Sequence, residues 1–174
     1  MPYRELLLGA GNRRLKHVYP QGGPQTFVNV TTLDIDPDCK PDLLWDLNQL
    51  PLPVLSNSFD EIHAYEVLEH LGTQGDWRGF FAEFAEYWRI LKPSGILFGS
   101  CPDVTSRWAW GDPGHTRIIG PECLTFLSQA HYAAHVGKTP MTDYRSIYKA
   151  DFELICNQID EGTKTFFFGL RAIK

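Results

Sequence analysis

Short apolar runs recur along the first hundred residues, and most of them end in glycine or in an acid. "ELLL", Glu5 to Leu8, is closed by Gly9-Ala10-Gly11, and an apolar run bounded by glycine suits a central strand buried on both faces. "TFVNVTTLDID" is β-branched and predicts a second strand finishing near Asp34. "PDLLWDL" predicts a third, ending at Asp46, and "LPLPVLSNS" a proline-rich loop. "FDEIHAY", Phe59 to Tyr65, alternates before Glu66 and predicts a fourth. From Asp76, a good N-cap, the residues Trp77, Phe80, Phe81, Phe84, Trp88 and Leu91 recur at helical spacing. "LKPSG" is expected to stop that helix and "ILFGSC" to supply a fifth strand. Between the first two strands, Asn12 to Thr26 holds Pro20, Gly22, Gly23 and Pro24, leaving room for only a turn or two of helix.

Beyond Cys101 the pattern changes. Pro102 to Ala150 is rich in tryptophan, histidine, glycine and proline, with one helix expected from Gly120-Pro121 to about His135. "FELICNQID", a turn at "EG", and "TKTFFFGLRAIK" predict a closing antiparallel hairpin. Strands alternating with helical segments imply an α/β fold, a three-layer doubly wound Rossmann-like sheet, mostly parallel with the hairpin at its C-terminal end. Ligands in such sheets bind beyond the carboxyl ends of the strands, where Gly9-Ala10-Gly11 and the terminal acids fall.

At 174 residues the chain fits a single domain, and a composition 43% apolar and 21% charged argues against disorder or fibrous repeats. A net charge of −5 and a pI near 5.6 disfavour broad capture of nucleic acid or of an anionic membrane. Arg13, Arg14 and Lys16 form either a local basic patch or a solvated turn. The four cysteines are scattered with no C-x-x-C pair, so a reduced, cytoplasmic setting is expected. The first twenty residues show neither a signal-peptide core nor a membrane span.

Gly-Ala-Gly after an apolar strand suits backbone pressed against a ligand. The dinucleotide fingerprint G-x-G-x-x-G asks for a third small residue where Arg14 stands, which leaves a different nucleotide site or a plain turn. An acid some twenty residues past a glycine loop is positioned to accept from the two hydroxyls of a ribose; Asp34 is the first choice and Asp36 the second.

The ordered motifs "LLLGAGN", "LDID", "DLNQLPLP", "SFDEIHAYEVLEHL" and "LKPSG", over residues 5 to 103, resemble the class I S-adenosylmethionine-dependent methyltransferases of the small bacterial and phage type. The resemblance implies one methyltransferase-like domain over residues 1–174, with 102–150 as a lid inserted on the acceptor side. It implies S-adenosylmethionine as cofactor. Gly9, Ala10 and Gly11 would pack against its methionine part, and Asp34 would hold the ribose. Asp46 and Leu47 would frame the adenine, and Glu66 with Val67 would lie beneath the cofactor. His70, in the same motif, is read either as a group near the methyl or as a helix-packed histidine satisfied by a backbone carbonyl. The family's helix ahead of the first strand is missing and the one after the glycine loop is short, so a more open cofactor side, or one completed by a partner chain, is expected.

For proton removal, the insert "SRWAWGDPGHTR" offers His115 as a general base, Asp112 to orient it, Arg117 to hold an anionic acceptor, and Trp108 and Trp110 to wall the pocket. The alternative is a structured lid with a helix-entry turn. "AYEVLEHL" stands where methyltransferases of DNA-base amino groups or protein glutamine are expected to carry an Asn/Asp-Pro-Pro-Tyr loop, and Cys101-Pro102 reverses the Pro-Cys motif of cytosine C5 enzymes. What remains is an oxygen, nitrogen or carbon acceptor on a small molecule, a sugar or a polymer end. The histidines and cysteines show no zinc-ligand spacing, so no metal is expected. A non-catalytic module that binds the same cofactor and a nicotinamide-dependent oxidoreductase are the competing readings. Arg13 and Arg14 would grip the cofactor's carboxylate, meet an anionic acceptor, or face water.

Overall fold

Gly9 follows β1 (Glu5–Leu8), an interior strand, third in the order of a seven-stranded sheet. This computed structural model describes residues 2–18, 23 and 25–174. The other strands are β2 (Val30–Asp34), β3 (Leu43–Leu44), β4 (Phe59–Tyr65), β5 (Leu91–Pro102), β6 (Phe152–Asp160) and β7 (Thr165–Ala172). Their order is β3-β2-β1-β4-β5-β7-β6, with β7 antiparallel to both β5 and β6 and the rest parallel. β1 pairs Leu8 with Leu33 and with Ala64, and β4 pairs Tyr65 with Ser100. That register sets Gly9, Asp34, Tyr65 and Ser100 in one row along the carboxyl edge.

Side chains alternate across the sheet. Leu6, Leu8, Ile62, Ala64 and Leu97 face the main core, where α1 (Trp77–Ile90) contributes Phe81, Phe84, Tyr87 and Ile90. Asp76 caps α1, its carboxylate accepting from the Gly79 amide at 3.0 Å. Leu124, Leu127, Tyr148 and Ala150, from the segment beyond β5, join the same core.

The opposite face is built differently. Glu5, Glu61 and His63 are buried there, and Lys16 Nζ lies 2.7 Å from Glu5 and 2.5 Å from Glu61. His63 donates from Nε2 to Glu61 at 2.9 Å and accepts at Nδ1 from Tyr65 Oη at 2.7 Å, and Tyr65 Oη in turn accepts from the Val18 amide at 3.2 Å. The Val28 and Asn29 amides donate to Glu5. Lys16 is therefore neither basic patch nor solvated turn; buried carboxylates from two strands claim its ammonium.

Three local expectations change. "LKPSG" ends α1 at Ile90 as expected, but it belongs to the fifth strand instead of preceding it. β5 begins at Leu91, opposite Phe59, and its register slips so that Ile96 faces Glu61, taking the turn-like residues into the strand as a bulge. The single helix expected over 120–135 is broken into α2 (Pro121–Leu124), a 3₁₀ turn (Thr125–Leu127) and α3 (Gln129–His135). Ser128 turns extended and its hydroxyl accepts from the His131 amide, so a residue inside the run caps a new helix. The helical turn expected between Asn12 and Thr26 falls partly on residues 19–22 and 24, outside the described residues; residues 12–18, 23, 25 and 26 are not helical. Among the described residues, no helix is long and apolar enough to cross a membrane.

Candidate functional site

The glycine turn is the hinge of the site. Gly9 has φ +58° and Gly11 φ +49°, the left-handed region that favours glycine. At Gly9 space is also exhausted, since a Cβ there would meet Val67 Cγ2 at 2.5 Å; around Gly11 it is open. The Gly11 amide donates to Asp34 Oδ2 at 2.8 Å and the Asp36 amide to Oδ1 at 2.9 Å. Two backbone donors hold this buried carboxylate at the strand end. Asp36, the second choice, instead caps the 3₁₀ turn Pro37–Cys39, accepting from the Asp38 amide.

Two cavities meet at Gly9. The first, about 320 Å³, is lined by Asp34, Ile35, Trp45, Asp46, Leu47, Asn48, Val67, His70 and Leu71. Asp46 accepts from the Asn48 amide and side chain, and Asn48 Oδ1 accepts from the Gly72 amide, tying the loop after β3 to the segment after β4. The second, about 610 Å³, is lined by Ala10, Gly11, Asn12, Arg13, His17, Tyr65, Glu66 and Ser100, with Asp160 and Thr163 across it. Ser100 donates to Glu66 Oε1 at 2.7 Å. The first cavity is an apolar slot with a carboxylate at its edge; the second carries a guanidinium and a carboxylate. Together they fit an elongated ligand with a flat, diol-bearing end and an ionic end. All eight residues expected to bind cofactor line one or both cavities. Ile35, Trp45, Asn48, His17 and Ser100 line them too and were not singled out in the sequence.

The two basic residues part company. Arg13 lines the second cavity, whereas Arg14 donates to the Cys39 and Lys40 carbonyls and closes the turn after β2.

Beside the slot, the chain folds His115 back onto His70, their ring centroids 4.6 Å apart at 81°. His70 Nδ1 meets the Gly114 carbonyl at 3.1 Å and His115 Nδ1 the Ala109 carbonyl at 3.2 Å. A carbonyl only accepts, so each Nδ1 carries a proton, and in the neutral ring the lone pair is on Nε2. His115 Nε2 stands 4.0 Å from Glu69 Oε1 and 4.0 Å from Asp112 Oδ2. Asp112 is therefore near His115 but outside hydrogen-bond reach; it accepts from the Gly114 amide instead. His70 sits in a 3₁₀ turn with its ring bonded to a carbonyl and is exposed at the rim of the first cavity.

Glu69, unassigned in the sequence, is 2% exposed with neither carboxylate oxygen hydrogen-bonded. Burial pushes its carboxyl up to about 7, and the Glu66 charge adds to the rise. Its only trace in the sequence is an acid inside the apolar run "VLEHL".

Two acceptor-side expectations fail. Arg117 is 4% exposed, its Nη2 gripping both Glu83 oxygens at 2.9 and 2.6 Å and its Nε donating to the Leu68 carbonyl. A guanidinium so engaged has no fork left for an anionic acceptor; the buried Glu83 on α1 has claimed it. Trp108 and Trp110 are 56% and 60% exposed and line neither cavity, so they do not wall this site.

Comparison with known proteins agrees with this geometry. A family model described as methyltransferase domain matches residues 6–99, more than half of the chain. None of the curated protein sequences compared with it matches. Among solved structures, it is similar to an S-adenosylmethionine-dependent methyltransferase from Archaeoglobus fulgidus, with TM-score 0.58, 15% identity, and coverage of 97% of this chain and 86% of that one. The N-methyltransferase NodS from Bradyrhizobium japonicum WM9, solved with S-adenosyl-L-homocysteine, aligns with TM-score 0.58 at 14% identity over 99% of this chain and 79% of its own. A putative methyltransferase from Haloferax volcanii, in complex with the activator Trm112, aligns with TM-score 0.60 at 13% identity over 99% and 83%.

Proposed function

The chain belongs to the class I S-adenosylmethionine-dependent methyltransferase family, with S-adenosylmethionine as its cofactor, and we propose that it methylates an oxygen, nitrogen or carbon acceptor by in-line displacement. One observation carries the reading: two cavities of unlike character meet at Gly9, with Asp34 fixed at the edge of one and Arg13 and Glu66 in the other. The cofactor supplies an electrophilic methyl on a sulfonium; the protein's own work is placement. Asp34 accepts from the ribose hydroxyls. Ile35, Leu47 and Val67 sandwich the adenine, with Asp46 at its edge. Arg13 meets the carboxylate of the methionine end and Glu66 its ammonium. Holding the acceptor in line supplies on the order of 7–11 kcal/mol of barrier lowering.

His115 takes the acceptor's proton through Nε2, worth roughly 10²- to 10⁴-fold where the nucleophile carries one. Residues 102–150 form the acceptor-side lid. A further cavity of about 550 Å³, between Val104, Thr105, Pro121 and Glu122 and the β6–β7 turn, supports an acceptor entrance there, because that same turn borders the methionine side. A small molecule or polymer end fits this entrance better than nucleic acid, given the net charge of −5. Free thiols at all four cysteines suit the reducing cytoplasm.

Transfer of label from methyl-labelled cofactor into a metabolite pool is the test. Labelled product that falls with His115→Ala, at unchanged cofactor affinity, supports the reading. Cofactor binding with no transfer to any fraction leaves the non-catalytic binding module instead.

A further inference from the structure

The described residues hold two compact sets of three metal-type side chains, and only one has a cation. In Glu5, Glu61 and His63 the Lys16 ammonium lies between the carboxylates. In Glu69, His70 and His115 the ligand atoms lie within 4.8 Å of one another with no lysine or arginine among them. Both Nδ1 protons there are committed to the Gly114 and Ala109 carbonyls, so both Nε2 lone pairs are free. Between them stands a carboxylate that is 2% exposed and has no hydrogen-bond partner. An imidazole whose far nitrogen is held by a carbonyl is how proteins orient metal-ligating histidine.

We propose that Glu69, His70 and His115 form a binding site for a divalent transition-metal ion of the zinc type, through the two Nε2 atoms and the Glu69 carboxylate. Two imidazoles and one carboxylate make the three-ligand set that leaves a coordination position open. A tetrahedral ion bonded at about 2.0–2.2 Å needs its ligand atoms roughly 3.3–3.6 Å apart, so the 4.0 Å between His115 Nε2 and Glu69 Oε1 must close by about half an ångström as the ion binds. The ion would partner the carboxylate that Glu69 leaves unpaired, and His70 itself lines the slot beside Gly9 and Val67. The absence of zinc-type spacing in the sequence is no obstacle, since His115 reaches the site from a segment 45 residues after His70 in this numbering. Ion and proton compete for His115 Nε2. Ion binding itself does not rest on the methyl-transfer reading.

The test is calorimetric titration of chelator-treated protein with zinc chloride alone. The wild type should bind one equivalent at this site. His70→Ala, an exposed position whose fold is checked by its melting curve, should weaken that binding by more than about 100-fold, the upper range for losing an outer-shell partner. Glu69→Gln should do the same where it folds. His131→Ala, which breaks the stacked His131–His135 pair on α3, should leave it unchanged. Absence of binding to the wild type, or binding that survives His70→Ala and disappears with His131→Ala, would overturn the site whatever the outcome of the transfer assay.

Discussion

Gly9 and Gly11 share a backbone conformation but not a neighbourhood, and substitution separates the two effects. Gly11→Ala meets only the left-handed backbone penalty of roughly 1–2 kcal/mol, because no atom lies within 4 Å of the new Cβ. Gly9→Ala adds a collision with Val67 and should disrupt both cavities at their junction. We expect a larger drop in melting temperature for Gly9→Ala, and S-adenosylhomocysteine affinity weakened more than tenfold, or about 1.4 kcal/mol. Equal effects of the two substitutions would show that Val67 does not constrain the turn. These glycines were legible in the sequence because an apolar strand breaking into Gly-Ala-Gly is a local signal. Asp34 was legible as a strand-end acid, and what separates it from Asp36 in the fold is that the Gly11 amide reaches Asp34. Glu69 was not legible, since nothing local to "VLEHL" says that its carboxylate is buried without a partner.

Elements with strong local signals formed as read. α1 begins at its Asp76 cap and β4 spans the alternating run without adjustment. The breaks at Leu91 and Ser128 depend on pairing with distant residues, Phe59 for one and the Asp151 carboxylate that accepts from the Gln129 amide for the other. Arg117 shows the same limit: in sequence it is a free cation beside a histidine, while in the fold it locks the segment after β5 to α1 through Glu83. Burial drives the Glu83 carboxyl up and Arg117 pulls it back, so removing the guanidinium leaves an uncompensated buried acid. Arg117→Met should destabilise by about 3–5 kcal/mol, read from the urea midpoint. The double substitution Arg117→Met with Glu83→Leu should recover much of that loss. An unchanged midpoint for the single variant would mean that the ion pair contributes nothing to this junction.

At the scale of the whole molecule, sheet and cofactor cleft followed from the order of strands and glycines, whereas the cover of the sheet did not. One face carries α1 and the later helices; on the other, Lys16, Val18 and residues 27–29 lie over a buried ionic network. Burial alone would raise the Glu61 carboxyl, but hydrogen bonds from His63, Lys16 and Tyr3 outweigh it and hold it at about 2. Its folded value is depressed, so its stabilisation is present above pH about 4.5 and is lost as pH falls towards 2. Burial also lowers His63, so the folded state resists protonation below about pH 6.5 and stability declines further on the acid side. Between pH 7 and 4.5 the raised Glu69 carboxyl opposes the His63 effect, so urea midpoints should fall steeply only below pH about 4.5, and the Glu61→Gln variant should fall less steeply there. The strand register that buries this network also aligns Gly9 with Asp34, and that alignment is what the functional reading depends on. Calorimetric titration with S-adenosylhomocysteine, run on wild type and on Asp34→Ala, tests it most directly. The account predicts one equivalent bound by the wild type and no measurable binding by Asp34→Ala; a wild type that does not bind, or an Asp34→Ala variant with an unchanged dissociation constant, would contradict it.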